Sequence, residues 1–152
     1  MRDADYFNLS LPEGELQQIS MLGLAHIGDA VYELLVRSCI LCEGKTTNTR
    51  LHSATVGYVS AGAQAAALER LLPELTEEER SVCRRGRNTR VNSIPKHADI
   101  AAYHAATALE CLFGWLYLKG QKERINRLFA LAMGAGEERP HEPSEKKGGE
   151  IA

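Results

Sequence analysis

No apolar run in this 152-residue chain approaches the length of a membrane span. Its first residues, Met1 to Tyr6, have neither the basic segment nor the apolar core of a secretory signal, so a cytoplasmic location without a membrane partner is the expectation. Internal repeats are missing, as is the two-residue alternation of half-buried strands, which leaves an all-α fold. Cysteines number four. Cys39 and Cys42 have the spacing of half a zinc site, but Cys83 and Cys111 are isolated and no histidine completes a set. All four are expected as core or helix-end thiols. The five histidines are scattered, and none pairs with a nucleophile in a way that points to covalent catalysis. An excess of positive charge is also lacking. A formal net charge of -2 argues against a protein that coats nucleic acid by bulk electrostatics, so any such contact has to come from a local patch.

What is present suits one domain with one core: 44% hydrophobic and 25% charged residues over 152 positions. The stretch Gly23 to Arg37 organises it. Leu22, Ala25, Ala30 and Leu34, with Ile27, Val31 and Leu35, recur at helical spacing, which predicts a central, buried helix carrying one acid, Asp29. A second run, Tyr103 to Leu118, reads as another long apolar helix carrying Glu110. A carboxylate enters a core only when paired or holding a metal. If the helices pack with Asp29 opposite Glu110, the pair forms an oxygen-only site suited to Mg²⁺, with Mn²⁺ as a substitute. Each acid alone also has an ordinary reading, Asp29 as a cap after Gly28 and Glu110 as an edge residue in a salt bridge.

In chain order, residues 1–14 read as an irregular arm packing at most through Tyr6, Phe7 and Leu9, residues 15–134 as the domain, and residues 135–152 as a disordered tail. A first helix begins at Glu15 or Leu16, with a break near Met21 to Gly23. The central helix ends near Cys42, before Gly44. Glu33 stands one turn beyond Asp29, either behind the metal site or in an ion pair with Arg37. A third helix is expected from Asn48 through Leu72, with Pro73 as its stop. Thr76-Glu77-Glu78-Glu79 opens a fourth, ending near Arg85 before Gly86. Asp99 caps the Glu110 helix; lying three turns from Glu110, about 16 Å along the axis, it cannot share an ion with it. A last helix spans Gln121 to Met133.

Between Arg80 and Ala98 there is no carboxylate, while Arg80, Arg84, Arg85, Arg87, Arg90 and Lys96 are basic. Asn88, Thr89, Asn92, Ser93 and Pro95 mark Arg87 to His97 as a loop. Such side chains suit phosphate and 2′-hydroxyl contacts along an RNA duplex, although a charge run can also be only a solvated face.

Gly28-Asp29-Ala30-Val31 followed some eighty positions later by Leu109-Glu110-Cys111-Leu112-Phe113-Gly114 resembles the two signature helices of the ribonuclease III catalytic domain. Leu51-His52, Tyr58 to Ala65, Arg85-Gly86-Arg87-Asn88 and Pro95-Lys96 narrow the resemblance to its compact bacterial subgroup, Mini-III, which has no separate double-stranded-RNA-binding domain. The likeness covers Leu16 to Met133. It implies a metal-dependent endoribonuclease that cuts double-stranded RNA as a homodimer, leaving 5′-phosphate and 3′-hydroxyl ends. Maturation of the large-subunit (23S) ribosomal RNA precursor, with a ribosomal protein as a further partner, is the implied task. Asp29 and Glu110 would be catalytic and hold the metal, and His52 would face RNA or the other subunit with Arg84, Arg85, Arg87, Asn88, Arg90 and Lys96. Other family members carry extra acids where this chain has Leu22, Ala25 and Thr107. The subgroup is depleted there too, so Thr107, like Glu33, is expected behind the ligands. Two rival readings stay open: a catalytically silent binder of structured RNA, and a helical interaction protein whose apolar faces serve only dimerisation.

Overall fold

A computed structural model describes residues 1–44, 47–89 and 93–135. Seven α-helices follow one another among them: α1 (Glu13–Leu16), α2 (Met21–Cys42), α3 (Asn48–Val59), α4 (Ala61–Leu71), α5 (Glu77–Arg87), α6 (Ile100–Lys119) and α7 (Lys122–Ala132), with a 3-10 turn at Leu72–Glu74. No strand occurs among the described residues.

The hub is α6. Twelve of its residues, from Ala105 to Leu118, are buried, and α2, α4 and α5 all pack on it. Asp99 starts it by accepting from the backbone N–H groups of Ala101 (3.0 Å) and Ala102 (3.3 Å), so that carboxylate is a cap, three turns from Glu110. Gly120 ends it at φ +81°, which a residue with a Cβ adopts only under strain. The N-terminal arm then closes over this end: Leu11 N–H donates to the Leu118 carbonyl at 2.8 Å, and Leu9 and Leu11 pack on the core. Tyr117 donates its hydroxyl to the Tyr6 carbonyl, whereas Phe7 remains 78% exposed, so Leu11 takes the anchoring place expected of Phe7.

Helix α2 is less buried than its composition predicts. Leu24, Ala25, Gly28, Tyr32, Val36 and Ile40 form the buried stripe. Ile27, Val31 and Leu35 are half-buried against the core, while Leu22, Ala30 and Leu34 are exposed. Tyr32 seals the stripe, its ring edge-on to Phe113 (5.1 Å) and Phe129 (5.9 Å).

Three boundaries differ from the sequence reading. The first helix, α1, begins at Glu13 and not at Glu15 or Leu16, and the break falls at residues 17–20 and not near Met21 to Gly23, because the Ser20 hydroxyl accepts from Gly23 N–H and starts α2 at Met21. The expected third helix is two, α3 and α4, broken at Ser60 (ψ 152°), whose hydroxyl accepts from Ala63 N–H and starts α4 afresh. Gly86 lies inside α5 and does not end it, because a Cβ there would meet Cys111 Sγ at 2.8 Å and Ala108 Cα at 3.2 Å. This glycine serves close packing on α6, and the helix continues to Arg87. At its other end α5 has the expected capping box, in which Glu79 also pairs with Arg124 at 2.8 Å. Cys83 and Cys111 are buried core thiols, Cys39 is half-buried and Cys42 exposed near the end of α2.

Candidate active site

Two glycines mark where the backbones of α2 and α6 meet. A Cβ on Gly28 would lie 1.6 Å from the Glu110 carbonyl oxygen, and one on Gly114 would lie 2.0 Å from the Leu24 carbonyl oxygen. Helices α2 and α6 therefore cross backbone against backbone at Gly28 and Gly114. Residues next to the crossing are set by it: Asp29 follows Gly28, and Glu110 is the residue whose carbonyl Gly28 touches.

Asp29 is exposed, and it is neither a cap nor a core residue. It belongs to a solvent-facing stripe of α2 with Leu22 and His26, spaced one helical turn apart, and half-buried Glu33 lies one turn beyond. Glu110 is half-buried and makes no salt bridge among the described residues, in place of the edge ion pair that was its alternative reading. Burial, then the charge of Asp29, pushes its carboxyl up to about 7, against a hydrogen bond from Gln64 that favours the charged form. The Asp29 carboxyl is raised too, by partial burial first and by Glu33 second, with His26 opposing. Like charges brought together and partly dried are what a divalent cation relieves. Among the described residues no group of three or more His, Cys, Asp or Glu could hold an ion by itself. Two carboxylates still fit Mg²⁺, a hard ion commonly bound through one or two of them plus substrate phosphates.

Glu33 makes the ion pair of its ordinary reading. It accepts from Arg37 Nη2 at 2.6 Å one turn on, and its charge reaches Asp29. Thr107 is buried, with its hydroxyl donating to the Tyr103 carbonyl at 3.1 Å, on the face of α6 that leads to Glu110. Gln64, 2% exposed in α4, is the polar residue at this site that sequence reasoning passed over, since it sits within a run of alanines that signals only close packing.

The basic residues spread around α5. Arg84 and Arg87 line one cleft with Glu69 and Arg80, and Arg84 is occupied with Glu77 at 2.9 Å. Arg87 and Asn88 border another cleft with Thr89 and His104. Arg85 faces a different side, near Glu78 and Trp115. Lys96 is exposed, and Arg90 lies outside the described residues. Exposed His52 lines a groove of about 390 Å³ between α2 and α3, together with Glu33 and Arg37. Helix α3 buries none of its residues, and Leu34, Leu41, Val56 and Tyr58 are exposed apolar side chains on α2 and α3.

Residues 22–121 match the sequence profile of the Ribonuclease III domain. A Mini-ribonuclease 3 of Symbiobacterium thermophilum is 48% identical over 111 residues, covering 73% of this chain and 85% of that protein. One from a Thermoanaerobacter species is 44% identical over 126 residues, covering 83% and 88%. A crystal structure of a Fusobacterium nucleatum protein superposes with a TM-score of 0.71 at 27% identity, covering 78% of this chain and 96% of that one.

Proposed function

The chain belongs to the ribonuclease III family and is an endoribonuclease; we propose that it cuts double-stranded RNA at a divalent-metal site whose protein ligands are Asp29 and Glu110. The observation that supports this is the glycine crossing of α2 and α6, next to which burial and the Asp29 charge push the Glu110 carboxyl up to about 7. A bound Mg²⁺ or Mn²⁺ would supply charge stabilisation at the phosphoryl oxygens and a water made acidic enough to attack. The chain's own part is positional. Asp29, on the exposed stripe, faces the substrate side, and Glu110 stands behind it at the helix crossing. Attack of water at phosphorus breaks the bond to the 3′-oxygen, which leaves with a proton, so the products carry 5′-phosphate and 3′-hydroxyl ends. Glu33 and Thr107 support the ligands from behind.

Arg84, Arg85, Arg87, Asn88, Arg90, Lys96 and His52 contact the RNA backbone. The spread of Arg84, Arg85 and Arg87 around α5, with Asn88 at its end, suits a duplex that runs across the domain and is read by shape. The chain acts as a homodimer, each protomer cutting one strand. Unburied α3 and the exposed Leu34, Leu41, Val56 and Tyr58 supply the apolar surface such a pairing needs. Its substrate is the large-subunit ribosomal RNA precursor, presented in the cytoplasm with a ribosomal protein. No helix among the described residues is long and apolar enough to cross a membrane.

The test is incubation of the protein with a long RNA duplex and Mg²⁺, beside Glu110→Gln, Asp29→Asn and an EDTA control. Cutting by the wild type that disappears in all three controls supports the site. Cutting retained by both variants overturns it, and duplex binding without any cutting in the wild type favours the silent-binder reading.

A further inference from the structure

Helix α5 ends against the early turns of α6. Gly86 lies so close to α6 that an added Cβ would meet Ala108 Cα at 3.2 Å, and this contact sets the position of the residues that follow. Arg87, Asn88 and Thr89 come next in the chain, and His104 stands one helical turn before Ala108. These four residues, with Ala101, line a cleft of about 450 Å³. Arg87 and Asn88 are exposed, while Thr89 and His104 are half-buried. The corner is tied down by the Thr89 hydroxyl, which donates to the Arg85 carbonyl at 2.8 Å.

His104 determines the chemistry of this cleft. Its Nδ1 is enclosed and has no hydrogen-bond partner among the described residues, so of the two ring nitrogens only Nε2 is left to meet a ligand. An N–H enclosed without an acceptor is rarer than an enclosed lone pair, which puts the ring hydrogen on Nε2 and makes that atom a donor. Asn88 adds a carboxamide that accepts as well as donates, and Arg87 adds a cation. A phosphate by itself needs donors only. A donor and an acceptor beside a guanidinium fit a ribose 2′-hydroxyl, which both accepts and donates, next to its phosphate.

We propose that His104, with Asn88, reads the 2′-hydroxyl of a nucleotide whose phosphate Arg87 holds, and is a specificity-determining residue for RNA over a duplex that lacks this group. The proposal rests on the double-stranded-RNA reading above. His104 lies six residues before Glu110, about 9 Å along the axis of α6, so the contact is made away from the bond that is cut.

The test is competition under cutting conditions with Mg²⁺. Cutting of a labelled RNA duplex is inhibited either by the same duplex unlabelled or by one with 2′-fluoro in place of every 2′-hydroxyl, which keeps the helical form but cannot donate. His104→Phe keeps a ring and removes both nitrogens. The wild type should prefer the RNA competitor, and His104→Phe should lose about fivefold of that preference, one hydrogen bond's worth, with kcat on saturating RNA unchanged. A wild-type preference retained by His104→Phe overturns the proposal, as does a wild type without preference. A lowered melting temperature at unchanged preference is the mark of a merely structural histidine and overturns it too. Should His104→Phe fail to fold, Asn88→Ala at the exposed end of α5 decides by the same ratio. If the wild type does not cut the RNA duplex at all, the double-stranded-RNA reading itself has failed. If it cuts and the ratio stays fixed, only the role of His104 has failed.

Discussion

Gly28→Ala adds one methyl group where the backbones of α2 and α6 meet. Its Cβ would sit 1.6 Å from the Glu110 carbonyl oxygen and 2.8 Å from the Gly114 nitrogen, where ordinary contact begins near 3.4 Å. The obstacle is backbone on a buried helix, so no side-chain rotation relieves it, and α2 and α6 must separate by about 1.8 Å at the crossing. Overpacking of this kind destabilises by about 3 kcal/mol. For a domain of this size that lowers the melting temperature by roughly 10 °C. The same displacement carries Asp29 away from Glu110. Misplacing reacting groups by about 1 Å costs roughly a hundredfold in rate, so cutting should fall at least that far at temperatures where the variant is folded. The control is Gly62→Ala in α4, where an added Cβ meets nothing within 4 Å. There the same chemical change should stabilise by about 0.5 kcal/mol through helix propensity alone. Thermal melts and duplex-cutting rates of the two variants make the measurement. A Gly28→Ala protein within about 0.5 kcal/mol of wild type and cutting normally would refute the helix crossing as the device that sets the site.

Removing the Glu110 charge should change how stability depends on pH. Glu110 favours the folded state fully below about pH 4.5, because the folded chain keeps its proton more tightly than the unfolded chain, and that advantage is lost as pH rises through about 7. In EDTA, wild type should therefore lose about 2 to 3 kcal/mol relative to Glu110→Gln between those limits; parallel pH profiles for the two proteins would contradict it. Neutralising Arg85 and Arg87 together should weaken duplex binding and reduce the slope of log affinity against log salt by about 2, whereas Arg84→Ala, already paired with Glu77, should change the slope less. Equal slopes in filter-binding titrations would remove α5 as the RNA face. Arg124→Ala leaves the Glu79 carboxylate, 4% exposed, without its cation, and should destabilise by about 3 kcal/mol in a urea melt while leaving cutting intact under folding conditions.

Local sequence determined most of the helices and the identity of the acids. Ser20, Thr76 and Asp99 act as side-chain caps, Gly44 and Gly120 end helices at positive φ, and the long apolar run from Ala105 to Leu118 became the hub. Those signals are short-range and need no partner to be read. Asp29 and Glu110 were legible because a carboxylate within an apolar helix is rare enough to demand an explanation. Tertiary structure decided the rest. Glycine reads locally as a helix breaker, so Gly86 looked like an end until Cys111 and Ala108 proved to occupy the space where its side chain would be. Ser60, with no proline or glycine beside it, gave no local sign that it would divide α3 from α4. Exposure of Asp29 and Leu34 depends on which stripe of α2 faces α6, and the Gly28–Gly114 contact sets that rotation. Gln64 was hidden for the same reason. A polar residue among alanines becomes informative only when the packing of α4 on α6 buries it beside Glu110, because burial and partnership are properties of two helices together and are written in neither one alone.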